Sequence, residues 1–192
     1  MNFAVFASGH GGNLQAIMDA IKKKKIKAHL KVVFSDKKDA YALVRAQMAK
    51  VPSFYLNPKD FTSRQEFDRA IVQEIKKYNI DFIVLAGYMR LLSQEFIRHY
   101  EGKILNIHPS LLPAFKGAYA INDAFAYGAK VTGVTVHMVV EEMDAGKVIA
   151  QEAVKITPKD TRQTLEAKIH KVEHKLYPTV IDLFARGAVH PR

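Results

Sequence analysis

Asn106 and His108 stand two residues apart, behind the short apolar run Ile104-Leu105. On an extended chain, side chains at i and i+2 leave the same face. An amide donor beside an imidazole is a pairing that suits acyl transfer: the amide steadies a developing oxyanion, and the imidazole holds or moves a proton. Pro109 and Pro113 bracket Ser110-Leu111-Leu112, so neither a helix nor a central strand continues past His108. An Asn and a His satisfied by backbone at an ordinary turn would show the same spacing. The rest of the chain has to decide between the two.

Three further stretches carry chemistry. Gly9-His10-Gly11-Gly12-Asn13 follows one apolar segment and opens an amphipathic one. Glycines allow close backbone approach, and a helix start offers unpaired N–H groups to an anion. The spacing is neither G-x-G-x-x-G nor a Walker loop, and no Lys follows the last Gly in the required place. A single phosphate on this loop therefore fits better than a dinucleotide or ATP; a plain tight turn is the alternative. Asp144 lies in a turn behind Glu141 and Glu142. A carboxylate near an imidazole favours the imidazolium, whereas a lone turn Asp usually satisfies local N–H groups. No H-E-x-x-H or His/Cys cluster accompanies these acids, so no metal is expected. Ala86–Leu92 follows a continuous apolar run and supplies backbone and apolar groups for a flat ligand beyond a strand end.

These stretches need a scaffold, and the chain alternates strand-like and helix-like segments. The predicted strands are 3–7, 29–34, 53–56, 81–85 and 102–107. The predicted helices between them are 14–24, 40–50, 64–78 and 94–100. Such alternation argues for a doubly wound, mostly parallel α/β sheet. The pattern then changes: a short helix at 122–127, strands at 131–140 and 147–154, and a long helix over 161–184. The close connection between the last two strands makes them antiparallel. Within 131–140, Thr135 and His137 alternate with Val134, Val136 and Met138, which reads as a half-solvated or site-lining strand. One domain over 1–192 is expected, with a phosphate-binding half (1–100) and a catalytic half (101–192).

Composition narrows the function classes. With no cysteine, thiol catalysis, thiolate metal sites and disulfides are excluded. No apolar run reaches membrane-span length and no signal peptide is evident, so a cytoplasmic protein is expected. A net charge of +10 favours anionic partners. Much of it lies in Lys22–Lys25 and Lys27 at a helix end, which reads as a solvated face rather than a nucleic-acid site.

Four segments together resemble one family. Ser8–Ile17, Leu85–Arg90, Asn106–Pro113 and Thr132–His137, with Asp144-Ala145-Gly146, are similar to the phosphoribosylglycinamide formyltransferases, the folate-dependent transformylases of purine synthesis. The resemblance runs in order from Met1 to about Phe184. It implies the formyltransferase fold and transfer of a formyl group from 10-formyltetrahydrofolate to phosphoribosylglycinamide, without a metal. Position by position, it implies Asn106, His108 and Asp144 as the catalytic trio and Gly11, Gly12 and Asn13 at the substrate phosphate. Pro109 and Glu173 would meet the ribose or glycinamide. Arg64, Met89, Arg90, Leu91 and Leu92 would hold the folate with Asn106, while Val139, Val140, Glu141 and Asp144 close over it. Thr135 and His137 would line the site. The expected partners are these small molecules, with no nucleic acid and no membrane, and a homodimer is left open.

The chain departs from that family at three places. Gly12 replaces a common Ser, which removes a hydroxyl but not a backbone N–H. Lys116 and Tyr119 replace a common Pro and His. Formyltetrahydrofolate deformylase, a hydrolase, is the competing enzyme, although its pattern has His-His where this chain has His108-Pro109. Methionyl-tRNA formyltransferase adds a C-terminal tRNA-binding domain that this chain lacks. An idle folate- or nucleotide-binding protein would not need the Asn106/His108/Asp144 set.

Overall fold

A computed structural model describes residues 1–189, so the domain expected over 1–192 runs three residues past the described ones. The alternating segments build β1 (Asn2–Phe6), α1 (Gly12–Lys22), β2 (His29–Ser35), α2 (Tyr41–Met48), β3 (Ser53–Tyr55), α3 (Arg64–Lys76), β4 (Phe82–Leu85), α4 (Gln94–His99) and β5 (Ile104–His108). A short 3₁₀ turn at Pro58–Asp60, absent from the sequence reading, precedes α3. The second half adds α5 (Ala120–Tyr127), β6 (Val131–Met138), β7 (Val148–Lys155) and α6 (Arg162–Ala185).

The strands form one sheet in the order β3-β2-β1-β4-β5-β6-β7. β1 through β5 pair in parallel, whereas β6 runs antiparallel to both β5 and β7. The connections after β1 climb one way along the sheet, and those after β4 climb the other. The crevice between the carboxyl ends of β1 and β4 is therefore the switch point at which open α/β sheets bind ligands.

Both sheet faces are covered, which is why the central strands are apolar throughout. Phe3 and Val5 point into a core shared with α1 and α6 through Leu14, Ile17, Ile169 and Tyr177. Ala4 and Phe6 point the other way, into a core with α3 and α4 through Phe67, Ile71 and Phe96. On that second side Phe6 meets Phe34, Tyr88 and Phe96 edge-on, at centroid distances of 5.0, 5.6 and 5.8 Å.

Helix α6 closes the first core. Its start carries the side-chain caps that free N–H groups need: Thr161 and Thr164 form a reciprocal box. The helix runs through Pro178 without ending. The fully buried Tyr177 hydroxyl sits 2.8 Å from the Leu85 carbonyl and 3.1 Å from that of Leu105, pinning α6 across the ends of β4 and β5. Burial pushes that hydroxyl well above its usual pKa, so it stays a donor.

The half-solvated reading of 131–140 fails. Residues 132–138 of β6 are buried on both faces rather than half-solvated. The strand ends at Met138, not Val140. β5 and β7 flank it, and the 109–113 loop covers the face that alternation had assigned to solvent. Thr135 is the anchor for that loop. Its hydroxyl donates to the Ser110 carbonyl at 2.7 Å and accepts from Leu112 N–H at 3.0 Å and from Gln151 Nε2 at 2.9 Å.

Candidate active site

Asn106 and His108 occupy the carboxyl end of β5, on the side of the sheet that carries α3 and α4. Antiparallel pairing sets Asn106 opposite His137 and His108 opposite Thr135. A register shift between Val136 and His137 marks a bulge in the β6–β7 ladder, a device that re-aims a side chain. His137 Nδ1 lies 2.8 Å from the Met138 carbonyl, so that nitrogen carries the proton. Nε2 is then an acceptor, and the Asn106 amide donates to it at 3.0 Å. The second amide hydrogen of Asn106 remains for a ligand oxygen. Burial holds the His137 imidazole below its usual pKa, which keeps Nε2 an acceptor.

His108 is held differently. Its Nε2 donates to the Phe115 carbonyl at 2.8 Å. Phe115 is a non-glycine residue at φ +51°, a costly conformation that turns its carbonyl toward the ring. On the opposite side, Nδ1 faces Asp144 Oδ2 at 3.5 Å. Both ring nitrogens thus meet acceptors, an arrangement fully satisfied only by the imidazolium. Asp144 is itself fixed: its Oδ2 accepts Gly117 N–H at 2.8 Å, and its Oδ1 lies 3.7 Å from His137 Nε2. Asp144 also adopts positive φ, which Asp tolerates better than most residues. Lys116, at the departure from the family pattern, pairs with Glu142 at 3.2 Å and ties this loop to the segment carrying Asp144. Tyr119 is mostly exposed.

Asn106, His108, Pro109, His137 and Asp144 share a cavity of ≈ 300 Å³. Its other walls are Arg64, Met89–Leu92, Ile97 and Val139–Met143. The structure therefore brings together every residue singled out for the folate. Pro109, expected at the ribose or glycinamide, lines this cavity, whereas Thr135 is outside it beneath the loop. The apolar walls and backbone groups suit the flat end of a ligand, with Arg64 and Arg90 at its rim suiting a carboxylate.

A second cavity, of ≈ 960 Å³, adjoins the first along Gly87 and Met89, which line both. Gly11, Gly12 and Asn13 lie at its head, where α1 begins. Gly11 has φ +75°, and an added Cβ would come within 2.9 Å of Ala42 Cα. Only glycine fits there. Glu173 is buried and does not itself line this cavity, but two lining residues bond it: Asn13 Nδ2 donates to Glu173 Oε2 at 3.1 Å, and His170 Nδ1 meets the same oxygen at 2.8 Å. Both contacts fall on Oε2.

Sequence reading missed several residues here. His170, His174 and Arg45 also line the cavity. Glu173 raises the pKa of His170, whereas burial lowers that of His174. Arg45 donates to the His10 carbonyl at 2.9 Å and to Gln15 at 3.0 Å, which aims it along the glycine loop. The i, i+3, i+4 spacing of 170, 173 and 174 on one helix face was the available signal. Among the described residues no group of three His, Cys, Asp or Glu is placed to hold a metal ion. No helix there is long and apolar enough to cross a membrane.

Comparison with known proteins sharpens the picture. The profile of the family described as formyl transferase matches residues 1–181. The chain belongs to the formyl transferase family. Among its relatives, the phosphoribosylglycinamide formyltransferase of Bacillus subtilis (strain 168) is 46% identical over 179 residues, covering 93% of this chain and 92% of the relative. The protein of the same name from Escherichia coli (strain K12) is 44% identical over 187 residues, covering 97% and 88%. The crystal structure of glycinamide ribonucleotide transformylase 1 from Symbiobacterium toebii superposes with a TM-score of 0.95 at 43% identity, over 97% of this chain and 88% of that one. As in those formyl transferases, the sheet is mostly parallel with antiparallel C-terminal strands.

Proposed function

We propose that the chain transfers the formyl group of 10-formyltetrahydrofolate to the glycinamide amine of 5′-phosphoribosylglycinamide, a step of purine synthesis. The observation that carries the reading is the shared wall of the two cavities. An anion site at a helix N-terminus adjoins an apolar pocket, and the Asn106/His108/Asp144 set stands inside that pocket.

The co-substrate fits the residues present. Met89, Leu91, Leu92, Val139 and Val140 would pack its flat ring, and Arg64 and Arg90 would face its carboxylates. When bound, it supplies an electrophilic formyl carbon on a nitrogen leaving group. At the other end, Gly11–Asn13 backbone N–H groups, with Arg45, His170 and His174 nearby, suit a phosphate dianion. Glu173 suits a ribose hydroxyl. Both sites draw on both halves of the chain: Arg64 and Met89–Leu92 join residues after 100 at the folate cavity, and His170 and His174 join Gly11–Asn13 at the nucleotide cavity.

The residues divide the chemistry. As the amine nitrogen bonds to the formyl carbon, the carbonyl oxygen gains negative charge. Asn106 offers its free amide hydrogen, and His108 offers the Nδ1 proton that is only loosely engaged by Asp144 at 3.5 Å. Donors placed where charge develops are the largest contribution in such sites. Asp144, facing His108 Nδ1, serves as the acceptor through which the proton lost by the amine travels, by way of a water, to the departing folate nitrogen. One N–C bond forms, one breaks, and the proton balance closes.

The test incubates the protein with 10-formyltetrahydrofolate alone and with phosphoribosylglycinamide or charged initiator tRNA. Tetrahydrofolate should appear only with phosphoribosylglycinamide. Release of formate without an acceptor would identify the deformylase instead. The hydrolytic reading is not favoured, because relatives matching nearly the whole chain are named as transferases.

A further inference from the structure

Ser8 lies where β1 gives way to the glycine loop, and nothing above assigns it a role. It lines the larger cavity and meets the smaller one only through Met89, which lines both. Its N–H donates to the Gly87 carbonyl at 3.0 Å. Its hydroxyl lies 2.6 Å from Asp36 Oδ1, and Met89 N–H points at the same hydroxyl from 2.9 Å. Asp36 follows β2 and is 3% exposed. The Ser8 hydroxyl donates to Asp36. The lone pairs are left for Met89 N–H. Only a hydroxyl bridges a donor and an acceptor at these two distances.

The bridge fixes one end of the 89–93 loop. The other end is fixed by a second buried acid: Asp68 accepts Ser93 N–H at 2.6 Å. Between them, Arg90 lies over the Phe67 ring at 5.3 Å. The loop is a strap stapled at both ends by carboxylates from the sheet and α3. Met89 itself is mostly exposed, so side-chain packing does not hold its backbone in place.

We propose that Ser8, braced by Asp36, is a positioning residue that sets the folate-side wall through the Met89 backbone. The proposal rests on the functional reading above. Ser8 lines the nucleotide cavity beside Gly11–Asn13; what the proposal adds is its reach, through Met89, to the folate side.

The experiment measures binding of tetrahydrofolate and of phosphoribosylglycinamide by calorimetry, with kcat and KM for both. Ser8→Ala should weaken tetrahydrofolate binding about five- to tenfold, the worth of one hydrogen bond. Nucleotide binding should fall less than folate binding, and kcat at saturating folate should stay within about twofold. Asp36→Ala should reproduce the effect, and Asp36→Asn, which keeps an acceptor oxygen, should largely restore it. The double variant Ser8→Ala/Asp36→Ala should be no worse than either single one, because both cut the same chain of bonds. Folate affinity unchanged in a folded Ser8→Ala protein, or additive losses in the double variant, would overturn the proposal. If Ser8→Ala does not fold, the Asp36→Ala and Asp36→Asn pair reads the same bridge from its other end, and equal folate affinities there overturn it. Wild-type protein that binds neither ligand would instead overturn the functional reading.

Discussion

Replacing Asp144 by Asn isolates charge from shape at the catalytic centre. The amide keeps an oxygen for Gly117 N–H, which Asp144 now receives at 2.8 Å, so the turn should persist. What disappears is the negative charge 3.5 Å from His108 Nδ1. At an effective dielectric of about 20, a unit pair at that distance interacts by roughly 4–5 kcal/mol. Desolvation offsets part of this, so the loss of transition-state stabilisation should be about 3–4 kcal/mol, or roughly 10²–10³ in kcat, the size seen when one oxyanion donor is lost. The assay is formyl transfer at saturating substrates and neutral pH, with tetrahydrofolate affinity measured separately. Transfer should fall by that factor while affinity changes less than about tenfold, since the apolar walls are untouched. A folded Asp144→Asn protein with turnover within about tenfold of wild type would refute the argument that this carboxylate's charge assists the transfer.

Other outcomes follow from the same geometry. His108→Ala should lose most transfer activity yet bind tetrahydrofolate normally by calorimetry. Gly11→Ala forces a left-handed residue against Ala42, so its melting temperature should fall by an amount equivalent to at least about 1 kcal/mol, with nucleotide affinity lost in parallel. The buried Tyr88 hydroxyl has no hydrogen-bond partner among the described residues; Tyr88→Phe should therefore stabilise the protein, by about 1 kcal/mol in urea denaturation. His137 titrates below its usual value of 6.5 because it is buried. A depressed histidine contributes stability that is present above the unfolded value and lost as pH falls through the folded one. His137→Gln, which cannot titrate, should flatten the acid side of the stability profile; an unchanged acid side would show that His137 does not cause it.

The parallel half was legible in the sequence because each strand is a continuous apolar run and each helix has one apolar face. Both cues are local. Asn106 and His108 were readable for the same reason: their i, i+2 spacing fixes a shared face once β5 is recognised. Asp144 was not placeable from spacing, because its approach to His108 depends on the β5–β6 register and on two loop residues at positive φ. Strand β6 misled because alternation reports polarity, and the polar Thr135 and His137 are buried beneath a loop and opposite Asn106. His170 and His174 stayed hidden in a helix whose polar face looks solvated until α1 is packed against it. Ser8 was visible only as part of a glycine-rich turn, since its partners come from the ends of two other strands.

The Asn13–Glu173 contact joins residues 160 apart in sequence, and it sets an order on biosynthesis. A nascent chain can pair β1 with β2 and then β4 while the ribosome is still translating. The glycine loop would then be present but open, with no Glu173 facing it and no Tyr177 over β4 and β5. The nucleotide site is finished only when α6 leaves the exit tunnel and docks on α1. A protein released early, before Glu173, would lack both the partner of Asn13 and the Tyr177 pin on β4 and β5, so the last helix made completes both sites at once.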